Sequence, residues 1–111
     1  MNNVVRSIIE HMEDDPDQLD VLRAINKKTN VTQREMANDL GFSLGKLNYV
    51  IQALKKKGHI KVKNFKNNKN KINYLYILTP QGISAKTKLT LNFMKLKMRE
   101  YDELKKELRK R

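Results

Sequence analysis

Residues 32–51 read TQREMANDLGFSLGKLNYVI, and this stretch limits the fold more than any other. Two short amphipathic runs are joined through Asp39-Leu40-Gly41-Phe42-Ser43 with almost no linker, so the helices they form must meet at a sharp angle. Thr32 and Glu35 stand in capping-box relation, which starts a helix at Gln33 with Met36, Ala37 and Leu40 as its buried side. Gly41 suits the left-handed position that ends a helix. Ser43 caps the next one, in which Leu47, Val50, Ile51 and Leu54 follow the i, i+3, i+4, i+7 pattern, and Gly58 closes it. The predicted unit is helix, tight glycine turn, helix, the arrangement of a helix-turn-helix.

The period of the second helix in that unit determines which side chains it presents to solvent. At about 100° per residue, burying its apolar stripe turns Gly45, Tyr49, Gln52 and Lys56 outward and puts Lys46 and Asn48 on the flanks. These residue types suit DNA. Lys donates to guanine O6 and N7, Asn and Gln pair with adenine in bidentate fashion, Tyr reaches a phosphate or a thymine methyl, and Gly45 lets backbone approach closely. Thr32, Gln33 and Ser43, at the two helix starts, complete the candidate set in this unit. The same side chains also occur on ordinary solvated helix faces, and the next segment of the chain decides between the two.

HIKVKNF (59–65) alternates Ile60 and Val62 with Lys61 and Lys63, and INYLYIL (72–78) is rich in β-branched and aromatic residues, so both are predicted as strands. Between them Asn67-Asn68 can take the positive φ values of a tight turn. A two-stranded hairpin directly after a helix-turn-helix is a wing. Its tip, residues 64–71, carries Lys66, Asn68, Lys69 and Lys71, which suit phosphates and a minor groove, although a solvated hairpin tip has a similar composition.

Charge supports the nucleic-acid reading by its distribution. Net charge is +12, but residues 1–54 hold 6 basic and 8 acidic side chains, whereas residues 55–111 hold 18 and 4. The positive field belongs to the second half, and it attracts polyanions: nucleic acid, an acidic protein or anionic lipid. With 111 residues there is room for one domain and little more, and with no cysteine neither a disulfide framework nor thiol-bound metal is available. No apolar run spans a bilayer and the N-terminus lacks the blocks of a signal peptide, so no membrane partner and a cytoplasmic location are expected. His11 and His59 stand alone, the acidic run Glu13, Asp14, Asp15, Asp17 lacks the alternation and glycine of a calcium loop, and no phosphate loop or nucleophile motif occurs. No enzyme activity, metal or cofactor is expected.

The flanks of the central unit are helical in pattern. Residues 3–12 place Val4, Val5, Ile8, Ile9 and Met12 on one stripe. After EDDPD, Asp15 caps and Pro16 starts a helix in which Leu19, Leu22 and Ile25 repeat, closed by Lys27 and Lys28. At the other end Thr79 caps and Pro80 starts a helix running towards Arg111, with Ile83, Leu91, Met94, Met98, Tyr101, Leu104 and Leu108 along it. Thr87, Met94, Tyr101 and Leu108 keep one heptad position, while Thr90 and Lys97 interrupt the seam. So long a stripe exceeds what a small lobe covers, so a second copy of the chain is expected to bury it, with Val5, Ile8 and Ile9 contributing; the alternative is a helix folded back on its own lobe.

With these pieces in place, the chain resembles the winged helix-turn-helix regulators of the MarR family, and more closely their short EPS-associated branch. The resemblance covers roughly Asp20 to Glu103. It rests on TQREMANDLGFSLGKLNYVIQALKKKGHIKVKNF, on NNKNKINYLYILTPQGI and on KTKLTLNFMKLKMREYDEL, with SLGKLNY and LTPQG the most specific parts. It implies a dimeric transcriptional regulator whose recognition helix enters the major groove of double-stranded DNA. Where larger MarR proteins carry Asp-x-Arg in the wing, this chain has Asn67-Asn68-Lys69, and Lys69 is the expected substitute. The chain is shorter than typical members, leaving less material for a ligand pocket, so a small-molecule effector is possible but not indicated.

The expected fold is mainly α with a two-stranded β wing and a long C-terminal dimerisation helix: a winged helix-turn-helix domain over residues 1–79 and the helix over 80–111. The expected function is a homodimeric, sequence-specific DNA-binding regulator with recognition helix 44–57 and wing 64–71. A second reading is a non-catalytic winged-helix module that binds an acidic protein or RNA through its basic C-terminal half.

Overall fold

A computed structural model describes residues 15–28, 31–66 and 72–110, with the backbone alone for 64–66 and 72–74. The elements run α1 (Pro16–Lys27), α2 (Gln33–Leu40), α3 (Leu44–Lys56), β1 (Ile60–Lys66), β2 (Ile72–Leu78) and α4 (Pro80–Arg109). The chain is mainly α with one antiparallel hairpin and a long C-terminal helix, the predicted class. The segment predicted as an N-terminal helix, with Val5, Ile8 and Ile9, lies outside the described residues.

Each helix starts where its cap dictates. The Asp15 carboxylate accepts from the Asp17 N–H at 2.9 Å, Thr32 Oγ1 from the Glu35 N–H at 3.0 Å, and Ser43 Oγ from the Lys46 N–H at 3.1 Å. Each such cap satisfies one amide that the helix cannot satisfy itself, worth about 1 kcal/mol. Helices α2 and α3 end alike. Gly41 and Gly58 adopt φ 70° and 76°, and the amides that follow them reach back to the last turn, Phe42 N–H to Ala37 O at 2.8 Å and His59 N–H to Leu54 O at 2.9 Å. A side chain with a Cβ is strained at that φ, so glycine is what allows both helices to stop so abruptly.

The three short helices bury one face each around a common core. Leu19, Val21, Leu22 and Ile25 come from α1, Met36 and Ala37 from α2, and Leu47, Val50, Ile51 and Leu54 from α3, closed by Ile60, Tyr76 and Leu89. Leu40, predicted on the buried side of α2, is half-buried and packs on the rim of this core. Fully burying a side chain such as Leu22 or Leu54 contributes about 1.5–3 kcal/mol, so this cluster dominates the stability of the unit.

The hairpin pairs Ile60 with Leu78, Val62 with Tyr76 and Lys66 with Ile72. Successive side chains alternate across it, so Tyr76 is buried and Val62 half-buried against the helices while Lys61 and Lys63 are exposed. Loop residues 67–71, including Asn68, Lys69 and Lys71, lie outside the described residues, and Lys66 ends β1.

Helix α4 is locked to the turn after α3 by Thr79 and Gly82. The Thr79 hydroxyl donates to Gly58 O at 2.6 Å and accepts from the Gly82 N–H at 3.0 Å, while the Thr79 N–H donates to His59 O at 3.0 Å. Gly82 lies so close to this turn that a Cβ there would collide with the His59 carbonyl oxygen. Leu89 and Phe93 then face the core, and from Met94 to Lys110 every residue is exposed.

Candidate nucleic-acid interface

The face of α3 opposite its core stripe is open, as its period requires. Gly45, Asn48, Tyr49, Gln52 and Lys56 are all exposed, and Tyr49 reaches 76%. A Cβ added at Gly45 would meet nothing within 4 Å, so the backbone at the start of α3 is bare towards solvent. Thr32 and Ser43 are exposed at the two helix starts; each oxygen accepts from its own helix, leaving the hydroxyl hydrogen free to donate outward.

The two flanks of this face differ. On the side towards α1, Lys46 Nζ lies 3.3 Å from Asp17 Oδ2 and 4.3 Å from the centroid of the Phe42 ring. The ammonium of Lys46 is therefore held back against α1, where the helical period alone put it on the outward flank. On the other side, Gln33, Asn48, Gln52 and Lys55 line a groove of about 440 Å³ whose wall is formed by Ile51, Val62 and Tyr76. Lys55 is the residue that sequence reasoning missed. It stands seven positions after Asn48 and three after Gln52, so helical spacing could have placed it with them.

Positive charge continues from the end of α3 into the hairpin. Lys55, Lys56, Lys57, Lys61 and Lys63 are exposed along this path. Lys57 is partly committed, its Nζ donating to Gln18 Oε1 at 3.0 Å. Next to it the His59 imidazole is held below its usual pKa of 6.5, first by burial and then by the Lys57 charge, so near neutral pH it adds no cation. Among the described residues no three His, Asp or Glu side chains converge to hold a metal, and no helix is long and apolar enough to cross a membrane.

Of the residues predicted at a dimer interface, those within the described residues share α4. Ile83, Leu91, Met94, Met98, Tyr101, Leu104 and Leu108 are each more than half exposed; by the helical period all but Leu104 lie roughly 80–180° round the helix from the side that Leu89 and Phe93 turn to the core, and Leu104 lies about 40° from it. The helix thus carries, besides the predicted stripe, a core-facing side at Leu89 and Phe93 that the sequence reading did not name.

The sequence pattern described as "TFIIE alpha subunit" matches residues 3–109, nearly the whole chain. The chain belongs to the TFIIE alpha subunit family. That family is itself built on a winged helix, so the match agrees with the fold while going beyond the resemblance drawn from the sequence. No curated protein matches the chain in sequence. Among solved structures, a transcriptional regulator homologue from Pyrococcus horikoshii superposes with a TM-score of 0.66 at 16% identity, over 92% of this chain and 99% of that one. Staphylococcus aureus MarR, in complex with salicylate and kanamycin, gives 0.63 at 23% identity over 87% and 63%. The PcaV regulator of Streptomyces coelicolor gives 0.65 at 19% over 78% and 62%. The chain thus spans less than two thirds of the PcaV and MarR chains. At these identities the likeness establishes the winged-helix fold of MarR proteins.

Proposed function

We propose that the protein is a sequence-specific regulator of transcription that binds double-stranded DNA as a homodimer. The carrying observation is the exposed polar face of α3, capped by Ser43 and bordered by the groove that Asn48, Gln52 and Lys55 share with the hairpin. A helix carried this way fits the major groove with its N-terminal part on the base edges, so Asn48, and Gln52 one turn further along the same face, are the readers, Tyr49 and Gly45 support close approach, and Lys56 meets a phosphate. Thr32, Gln33 and Ser43 suit the flanking backbone, as do the wing lysines Lys66, Lys69 and Lys71. Lys46 reaches DNA by leaving Asp17.

A second copy of the chain is the proposed cover for α4. Beside the exposed stripe, Leu19, Phe93, Met94 and Met98 line an apolar groove of about 510 Å³ between α1 and α4. Seven large apolar side chains along one helix supply most of the roughly 800 Å² per partner that a stable interface buries. Kinship with the short EPS-associated branch of MarR proteins rests on SLGKLNY and LTPQG, both of which stand at structural turning points, the start of α3 and the start of α4.

The family match is weakly compatible with a second reading, a non-catalytic module that grips an acidic protein or RNA through its basic half. Selecting bound fragments from random duplex DNA separates the two. Enrichment of a repeated half-site with centres about one helical turn, roughly 10 bp, apart is the expected result for the regulator. Recovery of fragments with no common sequence would overturn it.

A further inference from the structure

A cleft of about 240 Å³ opens between α1 and α2, and its lining shares no residue with the groove beside the recognition face. Its floor is apolar: Val31 and Met36 are buried beneath it, and Ala24 and Leu40 are half-buried. Its rim carries both signs of charge. Asp20, Arg23 and Lys27 come from one face of α1, and Asp39 comes from α2. The half-buried Asp20 and the exposed Arg23 stand three positions apart, about 5–6 Å between Cβ atoms, which is near enough for their ends to meet. Among the described residues, however, neither forms an ion pair, and neither do Lys27 and Asp39. The cleft thus holds opposite charges side by side above an apolar surface.

We propose that this cleft binds a free α-amino acid with an aliphatic side chain. Such a ligand carries an ammonium and a carboxylate on one carbon, so a carboxylate and a guanidinium one helical turn apart can meet both at once. Arg23 takes the ligand carboxylate in a two-pronged contact, and Lys27, one turn further on, adds positive charge beside it. Asp20 accepts from the ligand ammonium, and Asp39 closes on it from α2. With both charges held at the rim, the side chain lies on Val31, Met36 and Leu40. Leucine or methionine suits that floor, whereas glycine leaves it uncovered and a charged side chain is desolvated there without a partner. A purely anionic ligand would face Asp20 and Asp39, and a purely cationic one Arg23 and Lys27, so neither matches the mixed rim. The bound amino acid joins α1 to the first helix of the helix-turn-helix. Nothing in this site requires DNA, so it stands or falls apart from the regulator reading.

Backbone amide shifts of the full chain, followed on adding L-leucine, glycine, isocaproate or isopentylamine, test the site. Leucine should shift Asp20, Ala24, Val31 and Leu40 saturably. Isocaproate lacks the ammonium of leucine and isopentylamine lacks its carboxylate, so each should bind about tenfold more weakly. Glycine keeps both charges but should also be weaker, because no side chain reaches the floor. Two variants at exposed positions separate the ends of the ligand. Arg23→Gln should weaken leucine and isocaproate by about tenfold and spare isopentylamine, whereas Asp39→Asn should weaken leucine and isopentylamine and spare isocaproate. Both should keep the circular dichroism of the parent, and Lys95→Gln, outside the cleft, should leave all four affinities unchanged. The absence of a saturable shift up to the solubility limit of leucine would overturn the proposal. So would shifts centred away from α1 and α2, equal binding of leucine and its two analogues, or a leucine affinity unaltered by Arg23→Gln.

Discussion

Replacing Gly82 with alanine sets two physical effects against each other. Alanine within a helix is favoured over glycine by up to about 1 kcal/mol, so propensity alone predicts a more stable protein. The Cβ, however, would be driven into the His59 carbonyl oxygen, which is backbone and cannot swing aside. Relief requires α4 to move off the turn after α3, stretching the Thr79 N–H to His59 O bond of 3.0 Å and the Thr79 hydroxyl to Gly58 O bond of 2.6 Å. Overpacking of this kind costs about 1–3 kcal/mol, and leaving a buried polar partner unsatisfied about 1–3 more. After subtracting the gain in propensity, a net loss of about 1–5 kcal/mol is expected, or a fall in Tm of roughly 5–25 °C for a chain of this size. Urea denaturation followed by circular dichroism measures it. Gly45→Ala is the control: open space surrounds that position, so it should be neutral or gain up to about 1 kcal/mol. If Gly82→Ala proves as stable as the parent while Gly45→Ala behaves as expected, the close approach of α4 to the turn is not what holds that helix.

Three further outcomes are expected from the proposed site and its surroundings. Asn48→Ala and Gln52→Ala should each relax preference at one operator position by about 1–3 kcal/mol, whereas Lys56→Ala should weaken all duplexes alike; competition with single-base variants checks this, and equal losses on every variant would return both residues to an ordinary polar face. Met94→Glu with Met98→Glu should leave the circular dichroism unchanged, because both side chains are exposed, yet convert the chain to a monomer in sedimentation at micromolar concentration; a monomeric parent would refute the dimer. The folded pKa of His59 lies below the unfolded value of 6.5, so unfolding takes up a proton in the window beneath 6.5. Its contribution to stability is therefore full above about pH 6.5 and declines as pH falls towards the lowered folded value, and His59→Gln should flatten that part of a Tm-against-pH curve.

Local chemistry was the part of this molecule that could be read from its sequence. Asp15, Thr32, Ser43 and Thr79 cap where they were expected to, and Gly41 and Gly58 end helices, because a side-chain oxygen and an amide two or three residues on decide these events within one turn. The outward face of α3 was equally legible, since the period of a helix fixes it. The contacts that distinguish one flank of α3 from the other were not. Lys46 meets Asp17 and Lys57 meets Gln18 across 29 and 39 positions of sequence, and neither pairing leaves a local mark. Gly82 was seen as part of LTPQG without its reason, which lies in the backbone of His59. Leu89 and Phe93, which face the core, were not singled out in the sequence of α4, because which apolar side chains a helix turns inward depends on what it packs against.

The Lys46–Asp17 pair also bears on how salt would govern binding. A lysine that begins solvated and ends on a phosphate releases a condensed cation from the duplex, and each such event steepens the fall of affinity with ionic strength by about one unit of slope. Lys46 begins instead on a carboxylate 3.3 Å away. Moving it to a phosphate frees one cation from the DNA but leaves Asp17 to gather another, so the exchange is close to neutral in ions released. Counting lysines on this surface therefore overstates its sensitivity to salt by one for each protomer, and Asp17→Asn, which abolishes the competing anion, should both tighten binding at low salt and make it more readily lost as salt is raised.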